Sequence, residues 1–160
     1  MVNFPLSRAE YEKKRGSQNR FKIFFCKLCG LLIQVIFNNK LRVSLCKSMG
    51  IKIGKNVFLG KYCIIDDNYS ELISIEDNVV ISFGVTIITH DYSKDIVAPV
   101  TIEKGAFLGS RSVILPGVAI GENSIVGAGA VVTKDVPVNS TVVGPSAQVI
   151  RRGTQKVNSK

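Results

Sequence analysis

Aliphatic residues recur six positions apart along most of this chain. Ile102, Leu108, Ile114, Ile120, Val126, Val132 and Val138 form one such series, preceded by Ile53, Leu59 and Ile65 and by Ile75, Ile81 and Ile87. A fixed short period predicts a solenoid, in which each repeat packs only on its neighbours. Six residues suit a short strand followed by a sharp corner, with the leading aliphatic side chain pointing inward. A glycine often follows that aliphatic, at Gly54, Gly60, Gly109, Gly121 and Gly127. Its expected role is at the corner, where it adopts backbone angles that other residues resist.

A second pattern precedes the repeat. Phe21, Phe24, Phe25, Leu28, Leu31, Leu32, Val35 and Ile36 fall on helical spacing and predict a helix over 21–37. The segment carries Lys22, Lys27 and Gln34 and is short for a membrane span, which needs about 20 apolar residues. Ile36-Phe37-Asn38-Asn39-Lys40 also lacks the small residues of a leader cleavage site. Two placements follow. The helix packs on the repeat body or a sister subunit, or it lies in a membrane interface beside Arg8, Lys13, Lys14, Arg15 and Arg20.

Charge separates the same two regions. Residues 1–50 hold ten Lys/Arg against two acids, whereas 51–160 hold eleven against ten, so nearly all of the net charge of +9 is N-terminal. Such asymmetry points to an anionic surface. No aromatic-basic pattern of a nucleic-acid motif is present, so a peripheral membrane contact is expected rather than nucleic acid. The expected location is the cytoplasm, peripherally at the inner face of the plasma membrane. The expected organisation is a basic helical segment over 1–50, the repeat body over 51–137 with a loop at 91–101, and an extension over 138–160.

Cys26 and Cys29 have CxxC spacing, but with Cys46 and Cys63 they make only four cysteines, and His90 is the one histidine. A structural zinc site needs four ligands, so buried thiols in a reducing compartment are expected, with no metal.

The beat breaks twice. Ile65 to Ile75 spans ten positions, and Ile87 to Ile102 spans fifteen. If coils are eighteen residues, they stack Ile53/Ile75/Ile102, Leu59/Ile81/Leu108 and Ile65/Ile87/Ile114. His90 stands at the mouth of the second excursion, with Asn68 at the equivalent place in the coil below. A loop thrown out of a rigid solenoid is a usual place for chemistry, and imidazole exchanges a proton near neutrality. A base needs an orienting partner. Asn68, Asp67 and Asp66 are the candidates, for that role or for holding an acceptor.

The repeats Leu108-Gly-Ser-Arg-Ser-Val and Ile120-Gly-Glu-Asn-Ser-Ile, with the run from Ile114 to Pro137, resemble the hexapeptide-repeat acyltransferases, in particular their sugar O-acetyltransferase branch. The resemblance covers about 51–152. It implies an all-β solenoid, a left-handed parallel β-helix, here with an N-terminal α-helical segment. It also implies acetyl-CoA as co-substrate, a glycan or smaller acceptor, a homotrimer, and His90, within Thr89-His90-Asp91, as catalytic base of direct transfer. Ser110 would lie beside the thioester, Ala128, Thr133 and Lys134 along the pantetheine and nucleotide groove, and Arg151, with Arg152 next to it, at the phosphates. Gln148 departs from the family's usual cation, and Gly60 stands where some members have Asn. The expected function is O-acetylation of a sugar in surface polysaccharide synthesis, on a lipid-linked or membrane-proximal glycan. N-acylation of a nucleotide-linked amino sugar and an inactive scaffold are the alternatives. A metal-dependent hydratase on this fold needs three histidines and is rejected.

Overall fold

The structure, a computed structural model, describes residues 5–16 and 20–153. The chain opens with β1 (Leu6–Ser7) and helices α1 (Arg8–Arg15), α2 (Arg20–Val35) and α3 (Asn39–Ser48). The solenoid follows as β2 (Lys52–Ile53), β3 (Phe58–Leu59), β4 (Ile64–Ile65), β5 (Ile73–Ile75), β6 (Val80–Ile81) and β7 (Thr86–Ile87). After the hairpin β8 (His90–Asp91) and β9 (Ile96–Val97), it resumes as β10 (Val100–Ile102), β11 (Phe107–Leu108), β12 (Val113–Ile114), β13 (Ala119–Ile120), β14 (Ile125–Val126) and β15 (Val131–Val132). It ends in β16 (Ser140–Val143) and β17 (Gln148–Arg152).

Three parallel ladders run up the solenoid, β2-β5-β10-β13, β3-β6-β11-β14-β16 and β4-β7-β12-β15. Their registers place Ile75 between Ile53 and Ile102, Ile81 between Leu59 and Leu108, and Ile87 between Ile65 and Ile114. The phase read from sequence therefore survives both interruptions. The inward aliphatics form one buried core, because every second strand residue faces the axis.

Two expectations need correction. The glycine after each inward aliphatic is required by close approach and not by its φ. A Cβ at Gly109 would sit 2.5 Å from the Ala128 nitrogen, and one at Gly60 would sit 2.6 Å from the Ser82 carbonyl carbon. Positive φ occurs two positions later, at residues such as Asn56, Asn78, Asn123, Tyr62 and Arg111. The second correction concerns Val138, which is 45% exposed. The corner after Val132 is two residues shorter, so Val136 bridges Ile120 and Val142 pairs with Val126. The ladder thus passes 137, and the segment set apart as an extension begins with β16 stacked in parallel on β14.

The N-terminal helices close the first coil. Cys26, Cys29 and Ile33 of α2, with Cys46 of α3 and Met49, join the core containing Leu59, Cys63 and Ile65. Burial pushes the Cys46 thiol up to about 12, so it packs as a neutral apolar group. Among the described residues, no group of three or more His, Cys, Asp or Glu could hold a metal ion.

An open solenoid end leaves strand backbone unpaired, and α3 supplies the missing partners. Asn39 accepts from the Leu59 N–H at 2.8 Å and donates to the Val57 carbonyl at 3.0 Å. Arg42, buried, donates to the carbonyls of Leu59, Ile36 and Phe37. Arg42→Met keeps much of the volume but strands those carbonyls, each costing about 1–3 kcal/mol when buried. The variant is expected to lose about 3 kcal/mol, measured as a lower guanidinium unfolding midpoint. An unchanged midpoint would show that the end needs no such partner.

Candidate active site

The two breaks in the beat meet in space. Asp66 still belongs to the third ladder, its N–H donating to the Ile87 carbonyl at 2.9 Å. The chain then turns around its own carboxylate, whose Oδ1 accepts from the backbone N–H of Asn68 at 3.0 Å and of Tyr69 at 3.3 Å. This local turn, a habit of Asp, precedes a 3-10 turn at Ser70–Leu72, after which the chain enters the first ladder at β5. One coil on, the chain leaves β7 through buried Thr89 and enters the hairpin at His90. His90 pairs with Val97 and Asp91 with Ile96 across β8 and β9.

Asp66 Oδ2 lies 2.6 Å from His90 Nδ1 and also accepts from the Thr89 N–H at 2.9 Å and the Thr89 hydroxyl at 2.8 Å. The Asp66 side chain is 1% exposed and that of His90 is 15% exposed. Burial alone would push the Asp66 carboxyl up. The Thr89 donors and His90 outweigh it and hold the group below its ordinary value. An ionised carboxylate only accepts hydrogen bonds, so the Nδ1 position carries a proton, and in the neutral ring the lone pair then lies on Nε2. Tyr69 and Tyr92 flank the imidazole edge-on, at centroid distances of 5.5 and 4.7 Å. A ring locked this way can take a proton at Nε2 from a group placed beside it.

Counting positions puts Asn68 under His90, yet Asp66 is the residue that reaches it. The turn around the Asp66 carboxylate swings Asn68 out of the stack and leaves it on a cavity wall. Asp67 lines the same wall and meets Lys27 of α2 at 3.7 Å. The cavity, about 320 Å³, is completed by Tyr69, Tyr92, Ile23 and three residues of the first helical segment, Glu12, Arg15 and Gly16. His90 stands behind its Tyr69 and Tyr92 walls.

Those N-terminal walls escaped the sequence reading. Strand β1 pairs antiparallel with β9, and α1 starts from a capping box between Ser7 and Glu10. Tyr69 donates to Glu12 at 2.8 Å, Tyr11 donates to Glu71 at 2.9 Å, and Arg15 meets Glu71 at 2.7 Å. Arg8 lies over the Tyr92 ring at 5.0 Å. Arg8 and Arg15, grouped from sequence with a membrane-binding cluster, thus engage Tyr92 and Glu71 of this same chain. The Ser7-x-x-Glu10 spacing was a readable helix start, but nothing local shows where a helix docks.

The hexapeptide repeat of succinyl-transferase matches residues 50–88 and 99–134. The chain is similar to galactoside O-acetyltransferase of Escherichia coli, 39% identical over 110 residues that cover 63% of this chain and 53% of that protein. A solved galactoside acetyltransferase in complex with coenzyme A superposes with a TM-score of 0.60 at 28% identity, covering 82% of this chain and 80% of that one. The chain carries hexapeptide repeats of this family. A hexapeptide-repeat acetyltransferase of Vibrio cholerae complexed with acetyl coenzyme A shares the fold, with a TM-score of 0.70 at 24% identity, covering 84% and 88% of the two chains. The fold is the family's left-handed parallel β-helix. The chain spans little more than half the length of the curated relatives it matches.

In this hexapeptide-repeat chain the residues expected on the donor side lie at two corners of the solenoid and on β17. Ser110 and exposed Ala128 occupy stacked corners after the second ladder, where the Gly129 N–H donates to the Ser110 carbonyl at 2.9 Å. Thr133 and Lys134, both exposed, follow β15 at the corner after the third ladder, the corner from which His90 leaves two coils below. Arg151 is exposed on β17 opposite Thr141, and Arg152 lies opposite Ser140. Gln148 donates to the Ser146 carbonyl. Neither Lys134 nor Arg151 forms an ion pair among the described residues. The Gly129 corner is open, with nothing within 4 Å of where a Cβ would stand.

Proposed function

We propose that this chain is an acetyl-CoA-dependent acetyltransferase that moves an acetyl group onto a sugar hydroxyl in surface polysaccharide synthesis, with His90 as general base. The observation that carries the reading is the Asp66–His90 pair beside a cavity lined by polar side chains. Asp67, Asn68 and Glu12 offer acceptors, and Arg15 a donor, to hydroxyls of a bound sugar. Nε2 removes the acceptor proton as the hydroxyl oxygen attacks the acetyl carbonyl. The thioester bond breaks, the ester forms, and the proton passes from the imidazolium to the departing thiolate. Asp66 is a positioning residue, fixing the tautomer and stabilising the imidazolium. On the donor side, Ser110 would offer its N–H to the developing oxyanion, Ala128 and Thr133 would flank the pantetheine, and Lys134 and Arg151 would meet phosphates.

His90 and the Ser110 corner stand at opposite ends of the third ladder within one chain. The outer row of the second ladder, Phe58, Val80, Phe107 and Ile125, is a line of apolar side chains leading to the Ser110 and Ala128 corners. A homotrimer packed along this row would bring the donor groove of one subunit to His90 of the next.

The test is thiol release from acetyl-CoA with a panel of free sugars, nucleotide-linked amino sugars and polysaccharides, with products identified by mass and by ester or amide linkage. An alkali-labile sugar ester is the expected product. An amide would replace the reading with N-acylation, and no transfer to any acceptor would reject it. In the same preparation, full activity in a sedimenting monomer would reject the shared site.

A further inference from the structure

Helix α2 has two apolar faces, and the solenoid uses one. Cys26, Cys29 and Ile33 are buried against the first coil. Phe24, Leu28, Leu31 and Val35, at alternating spacings of four and three, stand on the opposite side, with Phe24 and Leu31 each 65% exposed. A continuous outward stripe of this size is unusual on a soluble surface and marks a docking site.

Its surroundings say what docks. No acidic residue occurs between Lys13 and Ile65, whereas Lys22, Lys40 and Lys47 on α2 and α3 are exposed. A second copy laid along this stripe would bring together two α2 helices that carry lysines and no carboxylate, so neither supplies the opposite charge a paired interface would use. An anionic lipid surface answers both features, taking the apolar side chains into the acyl boundary and the ammonium groups among its headgroups. Among the described residues, no helix is long and apolar enough to cross a membrane, so α2 would lie in the interface plane.

We infer that the outward face of α2 docks this protein onto anionic membrane. Ile23, on the same helix, lines the cavity next to the His90 site, and Lys27 is tied to Asp67 on its wall. Docking therefore brings the acceptor cavity to the headgroup region. Resting on the acetyltransferase reading, this points to a glycan carried on a lipid as the acceptor class.

Flotation of the full chain with vesicles tests the docking without any acetyl transfer, so its failure is separate from failure of that reading. The chain should float with mixed phosphatidylcholine–phosphatidylglycerol vesicles and not with phosphatidylcholine alone, and added salt should release it. Phe24→Asp combined with Leu31→Asp should lower the bound fraction at least about tenfold, with the thermal unfolding midpoint and sedimentation unchanged, since both side chains are exposed. Equal flotation of wild type and variant, or no binding to the anionic vesicles, overturns the inference. So does a wild-type oligomer that the double substitution dissociates, because the stripe would then be an interface between copies.

Discussion

Replacing His90 by Ala is expected to lower kcat/KM for acetyl transfer by about a thousandfold, or about 4 kcal/mol of barrier. The loss should fall on kcat, with the KM for acetyl-CoA little changed. The imidazole is the proposed proton acceptor, whereas the proposed donor contacts lie at Ser110, Ala128, Thr133, Lys134 and Arg151. The measurement is steady-state thiol release with the acceptor found in the panel, on protein whose circular dichroism matches wild type. Retention of more than about a tenth of the activity would remove His90 as the base. A raised KM with kcat intact would make it a binding group.

The second large effect is expected at Asp66. Asp66→Asn preserves size but replaces a carboxylate that accepts from five donors with an amide that has one acceptor oxygen. The amide can also present its N–H₂ to Nδ1, which would move the ring proton to Nε2 and block the base. A loss of about a hundredfold in kcat is expected. The carboxylate also supports the fold, and that part of its role is read separately, as stability against pH. The folded Asp66 carboxyl titrates below its ordinary 3.8. Its contribution to stability is therefore complete above that value and is lost as pH falls through the lower folded value. Wild type should lose stability on acidification from neutral pH to about pH 3 more steeply than the Asn variant, measured as thermal midpoints across that range. Parallel curves would show that the Asp66 charge does not support the fold.

The surroundings of His90 were partly legible in the sequence. The hydrophobic period placed both breaks in the beat, and the lone histidine at one of them stood out. Its partner came out as a choice among Asp66, Asp67 and Asn68. The stacking count pointed to Asn68 because it assumed that the chain keeps its rise through the insertion. The Asp66 carboxylate folds the next residues around itself, and no positional count contains that turn. The corner glycines were seen, and their reason was not. Steric contact between successive coils is a distance across about eighteen residues, whereas a preference for positive φ is local. Val138 kept the six-residue spacing and still points outward, because a corner shortened by two residues shifts the phase without interrupting the aliphatic pattern.

The sequence by itself determined that the repeat body is a solenoid of short strands, since inward side chains at a fixed interval must stack on one another, while its left hand came with the family resemblance. It also determined where chemistry could reside, because a rigid periodic frame makes each excursion conspicuous. Only the tertiary structure decided that α1 walls the cavity, that Arg42 and Asn39 seal the open end, and that α2 keeps one apolar face inward and one outward. These are contacts between segments far apart in the chain. Helix propensity and charge say that such segments form, while shape and unsatisfied backbone groups on the solenoid decide where they dock.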